Sequence, residues 1–197
     1  MRTRFGPWTT ALLFAVGLTV AGSGSAAAAP PAPVPSLDLD RYLGDWHQLA
    51  AVPQVFNLNC ARDTSANYSL DARGDIAVHN RCHTWSSGVD EIRGTATVND
   101  PVTNAQLHVS FPGVAGQDGR EGPTNYLVTA LGPDYSWALV TSPSRLSGFV
   151  LSRTPALDES TWQRIDEAIR IAGQDPCVYL TSPTTGGREG VLPLCAR

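Results

Sequence analysis

The sequence predicts an all-β domain, an eight-stranded antiparallel up-and-down barrel with one C-terminal α-helix packed outside. Between residues 37 and 155, short segments rich in Val, Tyr, Thr and Leu alternate with turn residues at intervals of about 8 to 12 residues. After residue 157 the apolar period changes to that of a helix. The strand series lacks the Cys…Trp…Cys pattern of an immunoglobulin sandwich, and closure into a barrel leaves no exposed edge strand.

Residues 1–29 are predicted to be a secretory signal peptide. Arg2 and Arg4 precede an apolar run over residues 8–20, and small residues continue to Ala29. The run of about 13 residues is shorter than the ~20 residues of a membrane span, so no transmembrane segment is expected. Three parts should follow: a flexible Pro/Ala-rich leader at residues 30–36, the folded domain at residues 37–181 and a C-terminal tail at residues 182–197.

The net charge of the chain argues against some classes of binding partner. The chain has 197 residues, with 14 Lys and Arg against 18 Asp and Glu. Loss of Arg2 and Arg4 with the signal peptide would leave a net charge of about −6. An acidic chain without a basic run is a poor binder of nucleic acid and of anionic membranes. We therefore expect neither of these as a partner. The secreted protein is expected to be a monomer.

Four cysteines follow the signal peptide, and two disulfides are expected in an oxidising compartment. Four cysteines allow three pairings, which the sequence alone leaves open. The favoured pairing joins Cys60 to Cys82, which flank a predicted hairpin, and Cys177 to Cys195, which would pin the tail. No cysteine lies at the predicted cleavage site, so release is favoured over a lipid anchor.

Eight segments are predicted to form the strands of the barrel. They are residues 46–52, 65–70, 76–81, 91–98, 105–111, 125–131, 136–141 and 148–153. Alternation of apolar and polar residues assigns one apolar face to each of several strands, as in Ala66 and Tyr68, Ile76 and Val78, and Leu107, Val109 and Phe111. One apolar face per strand requires a core or a cavity inside the barrel.

Residues 158–172 are predicted to form the helix. The start has cap chemistry, either Asp158 as N-cap or Ser160 with Gln163 as a capping box. A single apolar stripe recurs at helical spacing, formed by Trp162, Ile165, Ile169 and Ala172. This one stripe should pack against the outside of the barrel. Gly173 ends the helix, and residues 177–180 are predicted to form a short last strand.

Three short motifs occur along this strand series. They are Gly44 and Trp46 within residues 40–50, Asp134 and Tyr135 within residues 132–135, and Arg153 within residues 151–155. Their joint occurrence, in this order and followed by the helix, resembles the lipocalin family, and most closely the bacterial lipocalins that look like apolipoprotein D. The resemblance covers residues 37–180. It departs from the family at Pro133, where the turn between the sixth and seventh strands usually has Thr.

The resemblance implies a role for each motif. Gly44 and Trp46 would lie on a short 3₁₀ turn that leads into the first strand, with Trp46 plugging the narrow end of the barrel. Arg153 would stack on the Trp46 indole and bond nearby carbonyls, and the stacking is worth roughly 0.5 to 2 kcal/mol. These residues would close the barrel and do no chemistry.

An eight-stranded barrel either fills with its own side chains or holds one small ligand. The resemblance implies the second, with a small hydrophobic molecule entering opposite Trp46. Candidate ligand-binding residues, chosen from predicted inward positions, are Tyr68, Val78, Phe111, Tyr126, Val128 and Trp137. Small inward residues, Ala66, Gly94, Ala96 and Ala130, should leave volume between them. The alternative is that all of these residues are simply core, since alternation identifies a face and not its occupant.

Other function classes find less support. The chain has no Gly-x-Ser-x-Gly, His-Glu-x-x-His, phosphate-loop or Cys-x-x-Cys motif, so neither an enzyme nor a cofactor is expected. His79 and His83 share a strand face about 13 Å apart, too far to chelate one metal ion. The remaining alternative is a secreted interaction module with a filled barrel, which would bind a protein through open-end loops at residues 85–88 and 112–123. An internal cavity of ~300 Å³ or more would favour the carrier.

Overall fold

The computed structural model of the protein describes residues 29–197, so the predicted signal peptide lies outside the described residues except for Ala29. Nine antiparallel strands form one sheet. They are β1 (Gly44–Ala51), β2 (Cys60–Leu70), β3 (Ile76–Thr84), β4 (Val89–Val98), β5 (Gln106–Ser110), β6 (Tyr126–Leu131), β7 (Trp137–Thr141), β8 (Gly148–Ser152) and β9 (Leu180–Thr181). Strands β2 to β8 follow one another in order, and β1 pairs with both β8 and β2. The predicted eight-stranded up-and-down barrel is therefore confirmed, with β9 as a short addition beside β1.

The helix after the barrel is α2 (Glu159–Ile171). Asp158 is its N-cap and accepts a hydrogen bond from the Thr161 amide at 2.7 Å, which decides between the two predicted caps. Gly173 follows with φ of 76°, a left-handed conformation that suits glycine at a helix C-terminus. The stripe of Trp162, Ile165 and Ile169 is buried against the outside of the barrel, as predicted.

Short helical turns complete the fold. They are α1 (Leu39–Tyr42) and the 3₁₀ turns Val55–Asn59, Pro133–Tyr135, Pro176–Val178 and Leu194–Ala196. The resemblance implied a 3₁₀ turn before the first strand, and the structure has instead one turn of α-helix. Asp38 caps this turn by accepting a hydrogen bond from the Arg41 amide at 3.2 Å.

Two apolar cores lie on opposite faces of the sheet. The inner core, inside the barrel, includes Trp46, Tyr68, Val78, Leu107, Val140 and Leu151. The outer core, between the barrel and α2, includes Leu49, Trp137, Leu139, Val150, Ile165 and Tyr179. Strands β1, β6, β7 and β8 therefore contribute apolar residues to both faces, whereas β2, β3 and β4 contribute to the inner core alone.

A bulge in β6 corrects one predicted face. Strict alternation placed Ala130 inside the barrel with Tyr126 and Val128. The register shifts between Val128 and Ala130, so Ala130 packs against the outer core and Leu131 against the inner one. A bulge adds one residue without any change in composition, and alternation alone cannot locate it.

The segments on either side of the barrel in the described residues are both attached to it. The segment expected to be a flexible leader has no regular secondary structure, but the Val34 amide donates to the Val128 carbonyl at 2.8 Å. In the C-terminal tail, Thr185 donates from its backbone amide to Asp63 of β2 at 2.6 Å. The structure contains the two disulfides that the sequence favoured, Cys60–Cys82 and Cys177–Cys195.

Candidate ligand-binding site

The closed end of the barrel is built around Trp46, which is fully buried. The Arg153 guanidinium lies 3.6 Å from the centre of the Trp46 ring system and donates to three backbone carbonyls. These carbonyls belong to Arg41 at 2.7 Å, Leu43 at 2.9 Å and Asp45 at 2.7 Å. The indole nitrogen in turn donates to the Tyr42 carbonyl at 2.9 Å. One cation therefore fixes α1, the start of β1 and the end of β8 against each other.

The backbone at Gly44 has a left-handed conformation that favours glycine. Its φ is 94°, and an added Cβ would lie 3.5 Å from the Arg153 guanidinium. The backbone here turns from α1 into β1 directly over the arginine. A side chain would be strained by the positive φ rather than by lack of space.

The turn that contains Asp134 and Tyr135 supports the same corner. Both residues have positive φ, at 51° and 59°. The Tyr135 hydroxyl accepts from the Asp38 amide at 2.9 Å, and Arg41 lies 4.4 Å above the Tyr135 ring. Arg41 also pairs with Asp134 at 3.2 Å. The three sequence motifs thus meet at the closed end, where their contacts stabilise the fold.

Above this floor the barrel contains a cavity of ≈ 550 Å³. Four of the six candidate ligand-binding residues line it: Tyr68, Val78, Phe111 and Tyr126. The wall between them is largely apolar, with Ala66, Ile76, Ile92, Ala96, Leu107, Val109, Phe149 and Leu151. The cavity opens at the end opposite Trp46, where Gln54, Leu146 and Ser147 border it.

The other two candidates do not border the cavity. Val128 belongs to the inner core, but it lies at the closed end, where its carbonyl accepts from Val34. Trp137 points outward and packs in the outer core with Trp162 and Leu139, so its assignment to the ligand site is corrected. All five residues of β7 are buried, and its first four are all apolar, so alternation does not show which face Trp137 occupies.

A cluster of three tyrosines forms the bottom of the cavity. The Tyr126 hydroxyl lies 2.6 Å from the Tyr42 hydroxyl and 3.1 Å from the Tyr68 hydroxyl. The rings of Tyr42 and Tyr68 stack, with their centres 5.6 Å apart. Burial raises the pKa of all three phenols, that of Tyr68 to about 12. The cluster is therefore neutral at physiological pH.

Tyr42 is not among the residues predicted for the site, because alternation indicates inward positions only in strands. Tyr42 ends α1 and is only 2% exposed. Leu39, Tyr42 and Leu43 recur at helical spacing, and this apolar stripe before Gly44 could have indicated an inward side chain. The side chain of Asn80 was also missed. It lines the cavity wall, and its side-chain oxygen is buried with no hydrogen-bond partner among residues 29–197.

The interaction hypothesis placed the loops at residues 85–88 and 112–123 at the open end, and of the second loop the structure places only part there. The Trp85 ring is 73% exposed, and its indole nitrogen donates to the Leu58 carbonyl at 2.9 Å. Of the loop at residues 112–123, Val114 and Gln117 border the cavity. The second half of this loop lies on the outer wall, where His108 contacts the Gly119 carbonyl at 2.9 Å and the Pro123 carbonyl at 2.8 Å. Only its first half faces the opening.

The described part of the chain holds no group of three or more His, Cys, Asp and Glu side chains placed to bind a metal ion. His79 contacts Glu91 at 3.0 Å, while His83 lies 3.8 Å from Asp63. The two histidines thus have separate carboxylate partners. Over residues 29–197, none of the helices has the length and apolar character that crossing a membrane requires.

Comparison with known proteins agrees with this geometry. The Lipocalin-like domain family matches residues 37–183. Temperature-induced lipocalin-1 of Arabidopsis thaliana is 35% identical over 144 residues, which are 72% of this chain and 76% of that protein. Outer membrane lipoprotein Blc of Escherichia coli K12 is 32% identical over 154 residues, or 77% of this chain and 81% of that protein.

Among solved structures, insecticyanin from the tobacco hornworm Manduca sexta is similar in fold. It superposes with a TM-score of 0.59 at 16% identity and covers 86% of this chain and 95% of its own. The family match extends over the whole barrel and α2, and it includes the three motifs that meet at the closed end. This chain therefore belongs to the lipocalin family.

Proposed function

We propose that this protein is a secreted lipocalin that transports or sequesters a small hydrophobic ligand, such as a lipid or a fatty-acid-like molecule. The observation that carries the proposal is the cavity of ≈ 550 Å³ above Trp46. Its volume lies within the range of small-molecule pockets and above the ~300 Å³ that separates a carrier from a filled barrel. Burial of a ligand there is worth roughly 25 cal/mol per Å² of apolar surface removed from water.

Export is supported by the sequence and by the cysteines. Residues 1–29 have the charged start, apolar run and small-residue end of a signal peptide. All four cysteines are paired, which fits an oxidising compartment. The Escherichia coli relative is an outer membrane lipoprotein, whereas this chain has no cysteine near its predicted cleavage site. We propose release of the mature protein as a monomer that acts by binding and not as an enzyme.

The interaction module remains the second candidate because apolar residues surround the opening. Val55, Phe56 and Leu58 of the turn after β1 are 85%, 54% and 73% exposed, and Leu146 of the loop after β7 is 76% exposed. Exposed apolar patches are typical of protein contact sites. The two functions differ in the role of the cavity, since a partner that binds the rim does not need an empty barrel.

A cavity-filling substitution separates the two functions. Ala96 lines the cavity and is buried, and Val102 lies in an exposed loop at the other end. We expect the wild type to bind fatty acids, retinoids or sterols saturably at micromolar or lower concentration, with quenching of tryptophan fluorescence. Ala96→Phe should weaken this binding at least about tenfold, while Val102→Phe, the matched control, leaves it unchanged.

Salt provides a second readout. We expect binding to be insensitive to salt, because apolar contacts line most of the cavity. Extraction of lipid from the secreted protein, followed by native mass spectrometry, would identify a natural ligand. If the panel gives no saturable binding and the secreted protein holds no small molecule, the carrier is excluded and the rim-binding module takes its place.

A further inference from the structure

The tyrosine cluster at the bottom of the cavity has one proton more than its own hydrogen bonds use. Three hydroxyls carry three O–H groups, and two hydrogen bonds join them through Tyr126. Each of these bonds uses one proton. Within residues 29–197, the three hydroxyls have no other hydrogen-bond partner, so one O–H donor is always left over.

Position in the cluster indicates which hydroxyl supplies this donor. All three tyrosines border the cavity, but Tyr42 is 2% exposed and Tyr68 is 8% exposed, whereas Tyr126 is only partly buried. The central Tyr126 oxygen can accept a hydrogen bond from both neighbours. Its own proton is then free, and two donated bonds polarise the O–H and make it a stronger donor.

The bottom of the cavity carries no formal charge to attract an ion. The charged residues that border the cavity, Arg81, Asp90 and Glu91, lie in the upper half of β3 and β4, away from the tyrosine cluster. Glu91 is paired there with His79. The Arg153 guanidinium lies against Trp46 and is already committed to three backbone carbonyls.

The pKa values of the phenols indicate that a negative charge is unfavourable at the bottom of the cavity. Arg153 lowers the pKa of Tyr42 and Tyr68, but burial outweighs it and raises both. A buried carboxylate would meet the same desolvation cost. The environment therefore favours a neutral hydrogen-bond acceptor at the bottom of the cavity.

We propose that Tyr126 donates a hydrogen bond to the neutral carbonyl oxygen of an apolar ketone, ester or amide that enters the barrel oxygen-first, with Tyr42 and Tyr68 as positioning residues. The proposal rests on the carrier function and specifies its ligand class and orientation. A fatty acid anion would instead enter tail-first and leave its carboxylate near the opening.

The test compares three probes of similar length by displacement of a fluorescent apolar dye: methyl decyl ketone, dodecane and dodecanoate. We expect Tyr126→Phe to lower the ratio of ketone affinity to dodecane affinity about tenfold, as loss of one hydrogen bond predicts. Tyr68→Phe, the matched control, should lower the ratio only about two- to threefold, because Tyr126 keeps its proton and one partner.

An infrared spectrum of the ketone bound to the wild type tests the hydrogen bond even if Tyr126→Phe does not fold. The carbonyl stretch of the bound ketone should shift to lower frequency than in an alkane solvent, and Tyr126→Phe should abolish the shift. An unshifted band, or a ketone preference unchanged in Tyr126→Phe, would overturn the proposal. An equal loss of dodecanoate affinity in that variant would overturn the restriction to neutral ligands. Failure of the dye and all three probes to bind would contradict the carrier function itself.

Discussion

The two ends of the barrel are stabilised in different ways. At the closed end, Arg153 alone makes three hydrogen bonds to backbone carbonyls and a stacking contact with Trp46. At the open end, large apolar side chains such as Trp85 and Leu146 are exposed, and a covalent bond, Cys60–Cys82, joins β2 to β3. The contrast indicates that the fold concentrates its non-covalent stability where no ligand passes and uses a disulfide where the barrel must stay open.

The largest effect should come from the open-end disulfide. Its cysteines are 22 residues apart, and the double substitution Cys60→Ala and Cys82→Ala should lower the free energy of unfolding by about 3 kcal/mol through greater chain entropy of the unfolded state. Urea denaturation of the secreted protein measures this. A loss below about 1 kcal/mol would show that strand pairing between β2 and β3 already holds the open end, and the contrast between the ends would fail.

The next effect concerns the arginine of the closed end. Arg153→Ala should lower the free energy of unfolding by roughly 1 to 3 kcal/mol, because the backbone carbonyls of Arg41, Leu43 and Asp45 lose their donor. Ligand affinity should change little, since the cavity lies on the other side of Trp46. Arg73→Ala, in the exposed turn after β2, serves as the control. Equal melting temperatures for the two variants would mean that Arg153 does not stabilise the closed end.

A pH series tests the closed end without mutation. The pKa of Tyr68 is raised to about 12 from a usual value of 10, so the folded state holds its proton more tightly than the unfolded state. This stability is fully present below pH 10 and is lost as the pH rises towards 12, by up to about 1.4 kcal/mol per pH unit for this tyrosine.

Urea denaturation between pH 8 and 12, with tyrosinate absorbance as a second probe, follows this loss. The variant Tyr68→Phe should lose stability less steeply over the same range, because it has one shifted phenol fewer. Ionisation of all tyrosines near pH 10 in the folded protein would contradict the buried cluster.

The sequence predicted the strands and the helix correctly, but it placed two residues on the wrong side of the barrel wall. The strand positions and the helix follow from periodicity, which is local, and β2 and β3 have a largely polar, partly exposed outer face that sets the direction of alternation. Trp137 and Ala130 were placed on the wrong face because β7 is buried on both sides and β6 contains a bulge. Neither feature changes the composition of the strand.

The tyrosine cluster shows a second limit of prediction from sequence. Tyr68 and Tyr126 were expected in the cavity from alternation, and both are there. Their contact with each other and with Tyr42 depends on three elements that are far apart in the chain. Hydrogen bonds across a barrel depend on strand tilt and side-chain rotamers, which no local pattern encodes.

The loop on the outer wall should show an intermediate effect. Both ring nitrogens of His108 face backbone carbonyls, those of Gly119 and Pro123, and the Gly122 Cα lies so close that an added Cβ would be 2.4 Å from the ring. His108→Leu should lower the free energy of unfolding by about 1 kcal/mol and expose the loop to proteolysis. Limited proteolysis checks this. A cleavage pattern like that of the wild type would mean that the other contacts of the loop, such as the ion pairs of Arg120 with Asp71 and Asp75, hold it without His108.

The smallest effect should come from the rim. Trp85 is 73% exposed, and its one hydrogen bond, to the Leu58 carbonyl, can be replaced by water. Trp85→Ser should therefore change the free energy of unfolding by no more than about 0.5 kcal/mol, because exposed substitutions remove little buried surface. Dye affinity should also stay within about twofold, since Trp85 is not among the residues that border the cavity. A Trp85→Ser protein that unfolds as easily as Arg153→Ala would mean that the rim carries stability of its own, and the two ends would then differ in exposure but not in energy.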